Sequence, residues 1–209
     1  MKSLPDCHLY GIVDLGYVKP EHVMDMTAAL VEGGVDLIQL RAKGRSTDEV
    51  IALGKLMHPL TRSGGVPLII NDHPEAAREV GSEGVHVGQD DDAVARARAI
   101  VGSGCWVGKS THSLAQAIAA QAEGADYIGF GPLYATGTKP DYVPIGLDQI
   151  TQVHQQVQVP IFCIGGVNSA RLDEVLAAGA RRVVVVSAFL LAQDVGAEVR
   201  ALRDRLGGA

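Results

Sequence analysis

Eight short runs rich in β-branched and aliphatic residues recur along the 209-residue chain, each followed by a longer, alanine-rich amphipathic segment. The strand candidates are 9–13, 36–41, 67–71, 85–88, 105–109, 127–130, 161–164 and 183–186. The helical candidates are 21–33, 47–60, 74–80, 92–101, 113–123, 147–156, 169–178 and 189–206. Strict alternation calls for a parallel sheet, because parallel neighbours need a crossover and cannot be joined by a hairpin turn. A doubly wound open sheet uses the same alternation, but eight units closing into a ring is the better match. The expected fold is therefore α/β, a single (β/α)8 TIM barrel occupying residues 1–209, near the lower size limit for that architecture.

Punctuation supports the element boundaries. Gly33-Gly34, Gly64-Gly65, Gly81, Gly124 and Gly179 follow helical segments, where a left-handed residue can end the last turn. Ser46, Thr47, Ser113 and Ser169 are expected to cap helix N-termini with their hydroxyl oxygens. No linker or low-complexity segment breaks the rhythm. The formal net charge of -6 argues against a general nucleic-acid binder but leaves room for an anionic ligand held by local cations. Cys7, Cys105 and Cys163 lie far apart in apolar runs and suggest neither a disulfide framework nor a zinc motif. Met1 to Asp6 is polar, and the most apolar stretch, 183–192, is far shorter than the ~20 residues that span a bilayer. A soluble, cytoplasmic protein without nucleic-acid or membrane partners is expected, with homo-oligomer formation left open.

In a (β/α)8 barrel the chemistry sits where strands end and βα loops begin. Period-two alternation puts Gln39, Arg41 and Lys43 on one face of the second strand's end, with Ile38 and Leu40 on the other. An amide and two cations in that position suit a polyanion such as a diphosphate. Asn71 and Asp72 end the third strand, and Asp90, Asp91 and Asp92 follow the fourth. These aspartates can be hard ligands for magnesium or simple helix caps, and the sequence alone leaves both readings open. His86 lies inside a strand and can be a satisfied core residue. Ser110 brings a hydroxyl to the top of the fifth strand, without the adjacent base of a nucleophile motif. The segment that follows the sixth strand, Gly129-Phe-Gly-Pro-Leu-Tyr-Ala-Thr-Gly-Thr-Lys-Pro140, is rich in groups that can approach an anion. Gly165-Gly166 after the seventh strand and Val186-Ser187 after the eighth occupy the usual phosphate-binding loops of barrel enzymes. Two anion sites in one mouth are expected.

Taken in order, Tyr10-Gly-Ile-Val-Asp14, Gln39-Leu-Arg-Ala-Lys43, Asn71-Asp72, Gly84-Val-His-Val-Gly-Gln-Asp-Asp91, Gly108-Lys-Ser-Thr-His112, Gly129-Phe-Gly-Pro132, Thr136-Gly-Thr-Lys139 and Ile164-Gly-Gly-Val167 resemble the thiamine phosphate synthase family. The resemblance runs from Leu9 to about Leu190. It implies that Tyr10, Gln39 and His86 surround an aminopyrimidine ring. It places Arg41, Lys43, Asn71, Ser110 and Lys139 around a diphosphate, with Arg41, Lys43, Ser110 and Lys139 as the catalytic set. Asp72 and Asp91 match magnesium ligands; Thr136, Thr138, Gly166, Val186 and Ser187 match positions that hold a thiazole phosphate. The chain departs from the family at Ala42, where glutamate is usual, at Lys109, usually small or apolar, and at Asp14-Leu15-Gly16. These departures bear on the first loop's contacts and on local charge.

The resemblance implies a transferase that joins the methylene carbon of a hydroxymethylpyrimidine diphosphate to the nitrogen of a thiazole phosphate by a dissociative displacement, releasing pyrophosphate, with Mg2+ as cofactor. Such chemistry needs charge stabilisation and positioning more than a general base. One alternative is a thiazole tautomerase of a related barrel subgroup, which would use His112 for proton transfer and would not need the diphosphate apparatus. Another is a non-catalytic barrel that binds a phosphate ligand, since the fold by itself does not specify function.

Overall fold

The computed structural model describes residues 1–89, 93–137 and 143–207. Its strands are β1 (Leu9–Asp14), β2 (Leu37–Arg41), β3 (Leu68–Asn71), β4 (Gly84–Val87), β5 (Trp106–Thr111), β6 (Tyr127–Phe130), β7 (Ile161–Cys163) and β8 (Val183–Val185). They pair in parallel, in chain order, and close with β8 against β1. The helices are α1 (Val23–Gly33), α2 (Thr47–Ser63), α3 (Pro74–Val80), α4 (Ala93–Val101), α5 (Leu114–Ala122), α6 (Ile150–Gln156), α7 (Leu172–Ala177), α8 (Ser187–Leu190) and α9 (Val195–Leu206). The expected (β/α)8 barrel is thus the observed architecture. Among the described residues no helix is long and apolar enough to cross a membrane.

Local chemistry explains most boundaries and corrects three expectations. Ser46 caps α2 in a reciprocal box with Glu49, so Thr47 is the first helical residue and not a cap. Ser113 caps α5 through the Gln116 amide. Ser169 does not cap α7: its hydroxyl reaches Glu198 at 2.6 Å, and the Asn168 side chain accepts from Ala170 and Arg171 instead. The last helical segment, expected as one run over 189–206, is two helices. Asp194 adopts an extended backbone and its carboxylate accepts from the Ala197 amide, which starts α9 afresh.

Period two sorts the strand residues into two packed layers. Ile38, Leu40, Ile70, Val85, Val107 and Ile128 face the helices in the outer core. Tyr10, Leu37, Ile69, Tyr127, Phe162 and Val184 fill the barrel. Three rings meet edge to face there, with centroid separations of 5.4 Å for Tyr10–Phe162, 5.6 Å for Tyr127–Phe162 and 6.3 Å for Tyr10–Tyr127. Gly108 makes space for this plug, since a Cβ there would come within 2.1 Å of the Tyr127 ring.

The base of the barrel repeats one device three times. Asp36, Glu83 and Asp126 each precede an even-numbered strand and accept from an amide at the start of the preceding odd-numbered one. Asp36 holds the amides of His8 and Leu9, Glu83 that of Leu68, and Asp126 that of Val107. Each acid also meets a basic side chain: Lys2, His58 and Arg98 respectively. Burial opposes ionisation of Asp36, but the Lys2 ammonium and the Leu9 and His8 amides outweigh it and hold its carboxyl below the usual range. At the fourth pair an arginine takes the place of the acid: Arg182 donates to the Pro5 carbonyl at 2.9 Å, and its own carbonyl accepts from Cys163.

Candidate active site

The opposite end of the barrel opens as a pocket above the aromatic plug. Each strand contributes its last inward residues, and the side chains collected there come from all parts of the chain. Of the residues singled out in the sequence, Tyr10, Gln39, Arg41, Asn71, His86, Ser110, Thr136, Gly166, Val186 and Ser187 line it.

One side of the pocket is a continuous hydrogen-bonded chain. The Gln39 amide donates to the Tyr10 hydroxyl at 2.5 Å, and the Tyr10 and Tyr127 hydroxyls lie 3.3 Å apart. His86 joins Tyr127 through Nδ1 at 3.1 Å and Ser110 through Nε2 at 3.0 Å. His86 therefore faces the barrel interior. Burial raises the pKa of both phenols, Tyr127 well above the ordinary value, so both keep their protons and serve as neutral links. Tyr127 and Phe162 were not singled out in the sequence. The signal was available for Tyr127: it lies two residues before Gly129 in one strand, on the same inward face.

Arg41 reaches the mouth with its guanidinium tied to Asp14, Nη1 to Oδ2 at 2.6 Å. Asp14 is 1% exposed and its other oxygen accepts from the Gly16 amide at 2.9 Å. The end of the first strand thus provides an anchor for the cation of the second. Lys43 departs from expectation. Strand β2 ends at Arg41, so period two no longer governs position 43, and Lys43 lies on the rim, paired with Asp72 and not lining the pocket. Asp72 is not a side-chain helix cap; His73 holds the cap position of α3. It has φ 62°, a conformation that asparagine and aspartate tolerate better than most residues, and its amide still donates to the His86 carbonyl at 2.8 Å. Asp91, Thr138 and Lys139 lie outside the described residues. Among the described residues no group of three or more His, Cys, Asp or Glu gathers as a metal centre.

The remaining departures point away from the pocket. Lys109 points outward from β5, is buried, and pairs with Glu123 at 2.5 Å. Ala42 packs into the outer core.

The opposite side of the pocket is built from backbone. Gly165 has φ 103°, and a Cβ there would come within 2.5 Å of Pro132, so only glycine lets the loop after β7 lie against the loop after β6. The Leu133 and Tyr134 amides donate to the Ile164 and Gly165 carbonyls at 2.8 and 3.1 Å, tying the two loops together. Gly166, Val167, Val186 and Ser187 complete this side.

Similarity to known proteins extends over nearly the whole chain. A thiamine-phosphate synthase from Chloroflexus aurantiacus is 44% identical over 199 residues, which is 95% of this chain and 92% of the relative. One from Thermus thermophilus is 42% identical over 189 residues, 90% and 91% of the two chains. A solved structure titled thiamine phosphate pyrophosphorylase, from Pyrococcus furiosus, superposes with a TM-score of 0.88 at 32% identity, covering 97% of this chain and 96% of that one. The family model described as thiamine monophosphate synthase matches residues 9–189. The chain belongs to the thiamine monophosphate synthase family.

Proposed function

We propose that this protein is a cytoplasmic transferase that couples hydroxymethylpyrimidine diphosphate to thiazole phosphate, giving thiamine phosphate and pyrophosphate. The observation that carries the reading is the two-sided mouth. Polar side chains from β1 to β5 face a glycine-lined loop pair across an aromatic floor, so two different anions can approach one reaction centre.

In this reading Tyr10, Gln39 and His86 orient the aminopyrimidine. Arg41, Asn71 and Ser110 in the pocket, Lys43 from its rim and Lys139 are assigned to the diphosphate, and Thr136, Thr138, Gly166, Val186 and Ser187 to the thiazole phosphate. The bond between the methylene carbon and the diphosphate oxygen breaks with its electron pair leaving on pyrophosphate. The ring's amino group stabilises positive charge on the carbon, and the thiazole nitrogen supplies the pair for the new C–N bond. No proton is removed from the nucleophile, so the protein's work is to position both partners and stabilise the departing charge.

The hydrogen-bonded chain supports a defined role for Ser110. Gln39 donates to Tyr10, and the directions of the Tyr10–Tyr127 and Tyr127–His86 bonds follow the tautomer of His86. In the tautomer with its proton on Nε2, His86 gives that hydrogen bond to Ser110, whose own hydroxyl proton is then available to a diphosphate oxygen. Arg41, fixed by Asp14, presents its fork without needing to be ordered when substrate binds.

Magnesium fits this donor set in part: Asp72 offers a hard oxygen at the top of β3, and Asp91, outside the described residues, is the second carboxylate this reading assigns. When bound, the ion would neutralise charge on the departing pyrophosphate. The test is direct. Purified protein with both substrates and magnesium should form thiamine phosphate and pyrophosphate in equal amounts; absence of both products would overturn the reading.

A further inference from the structure

Arg171, in the turn that leads into α7, touches neither the polar side of the mouth nor the aromatic floor. Its guanidinium donates from Nη1 to the Gly166 carbonyl at 2.9 Å and lies over the Tyr134 ring, with Cζ 4.3 Å from the ring centre. Tyr134 is gripped at two further points. Its amide donates to the Gly165 carbonyl at 3.1 Å, and its hydroxyl donates to Glu174 at 2.8 Å, one turn of α7 beyond Arg171. Gly166 has φ 71°, and a Cβ there would come within 2.8 Å of both Arg171 Nη1 and Tyr134 Cβ. The glycine is what allows the guanidinium to approach the loop.

A trans peptide points its C=O and N–H in opposite directions. With the Gly166 carbonyl turned to Arg171, the Val167 N–H on the same peptide points the other way, and a carbonyl dipole that would repel an anion is tied up by a cation. Gly166 and Val167 both line the mouth, and so does Thr136, two residues after Tyr134. Arg171 thus adds a side-chain clamp to the two backbone hydrogen bonds that already join the β6 and β7 loops.

We propose that Arg171 is a positioning residue for the phosphate end of the site, acting through the Gly166 carbonyl and the Tyr134 ring. The inference rests on the assignment of the thiazole phosphate to these loops. Calorimetric titration with thiazole phosphate, and separately with inorganic phosphate, needs no turnover and tests the clamp apart from the coupling assay.

Arg171→Met should weaken thiazole phosphate binding by about tenfold, the size expected for losing one charge-assisted hydrogen bond that orders a loop. The KM for thiazole phosphate should rise in parallel while the KM for the pyrimidine diphosphate stays within about twofold, a split that general destabilisation would not produce. Arg171→Lys keeps a donor but loses the flat stack and should recover part of the affinity. Because both act as one unit, Tyr134→Leu added to Arg171→Met should cost little more than Arg171→Met alone. Unchanged affinity in Arg171→Met, or fully additive losses in the double variant, would overturn the clamp. Failure of the wild type to couple its substrates would count against the functional reading, while the calorimetry would still decide the clamp.

Discussion

The two ends of the barrel use the same kinds of charged side chain for opposite purposes. At the base, Asp36, Glu83 and Asp126 turn their oxygens inward to strand-initiating amides and meet Lys2, His58 and Arg98. Their hydrogen-bonding capacity is used within the fold, which leaves little to offer a ligand. At the mouth, groups are anchored from behind and keep further capacity facing the pocket: Arg41 by Asp14, Ser110 by His86, the β7 loop by Arg171 and the β6-loop amides. A charge satisfied on all sides stabilises; a charge anchored on one side and open on the other can bind. The difference lies in how many partners surround each group, and residue type alone does not reveal it.

That contrast can be broken most severely at Arg41. Arg41→Met should lower turnover by about two to three orders of magnitude, the usual loss when one transition-state charge stabiliser is removed. It should also lower the melting temperature, because Asp14 is left buried without its cation. The pair Asp14→Asn with Arg41→Met should restore the melting temperature and leave turnover low. If Arg41→Met is as stable as wild type, Asp14 is not the anchor described.

At the base, Asp36→Ala should cost about 3 kcal/mol, since two strand amides and Lys2 lose their acceptor. In a chain of this size that is a melting shift of roughly 6–12 °C. Turnover per folded molecule, measured at low temperature, should match wild type. A loss of turnover without unfolding would mean that the two ends are coupled.

Asp72→Asn sharpens the comparison at the rim. The magnesium concentration for half-maximal coupling should rise by about an order of magnitude, with the melting temperature almost unchanged because Asp72 pairs with an exposed lysine. A magnesium titration that overlays wild type would remove Asp72 from the proposed metal site.

The smallest effect is a pH dependence at the base. Burial, with the nearby cations of Arg181 and Arg182, pushes the His154 pKa down from 6.5 to about 4. The unfolded chain therefore binds the proton more readily than the fold does between those values. The stability His154 contributes is fully present above pH 6.5 and is lost as pH falls toward about 4. Melting curves across that window should show the decline in wild type and a flatter profile in His154→Gln; identical profiles would show that another group carries it.

Element type was legible from sequence because period and punctuation are local. The core of every strand lies where β-branched runs are expected, with ends displaced by a residue or two, and Ser46 and Ser113 cap as their spacing suggests. Asp194 inside the last helical pattern could have signalled the break between α8 and α9, since an aspartate in a helix interior competes for backbone amides. For the site, alternation along β2 was enough to put Gln39 and Arg41 on the inward face. It failed at Lys43, because alternation stops where the strand stops. Partnership was decided only by the tertiary structure. Asp14 and Arg41 are 27 residues apart, His86 and Tyr127 41, and Gly166 meets Tyr134 only because β6 and β7 are adjacent staves. Sequence determined which chemistry each strand end carries, because side-chain type and period are properties of a few neighbouring residues. Closure of the barrel decided which groups meet, because hydrogen bonds and charge pairs depend on distances of a few ångströms between residues remote along the chain.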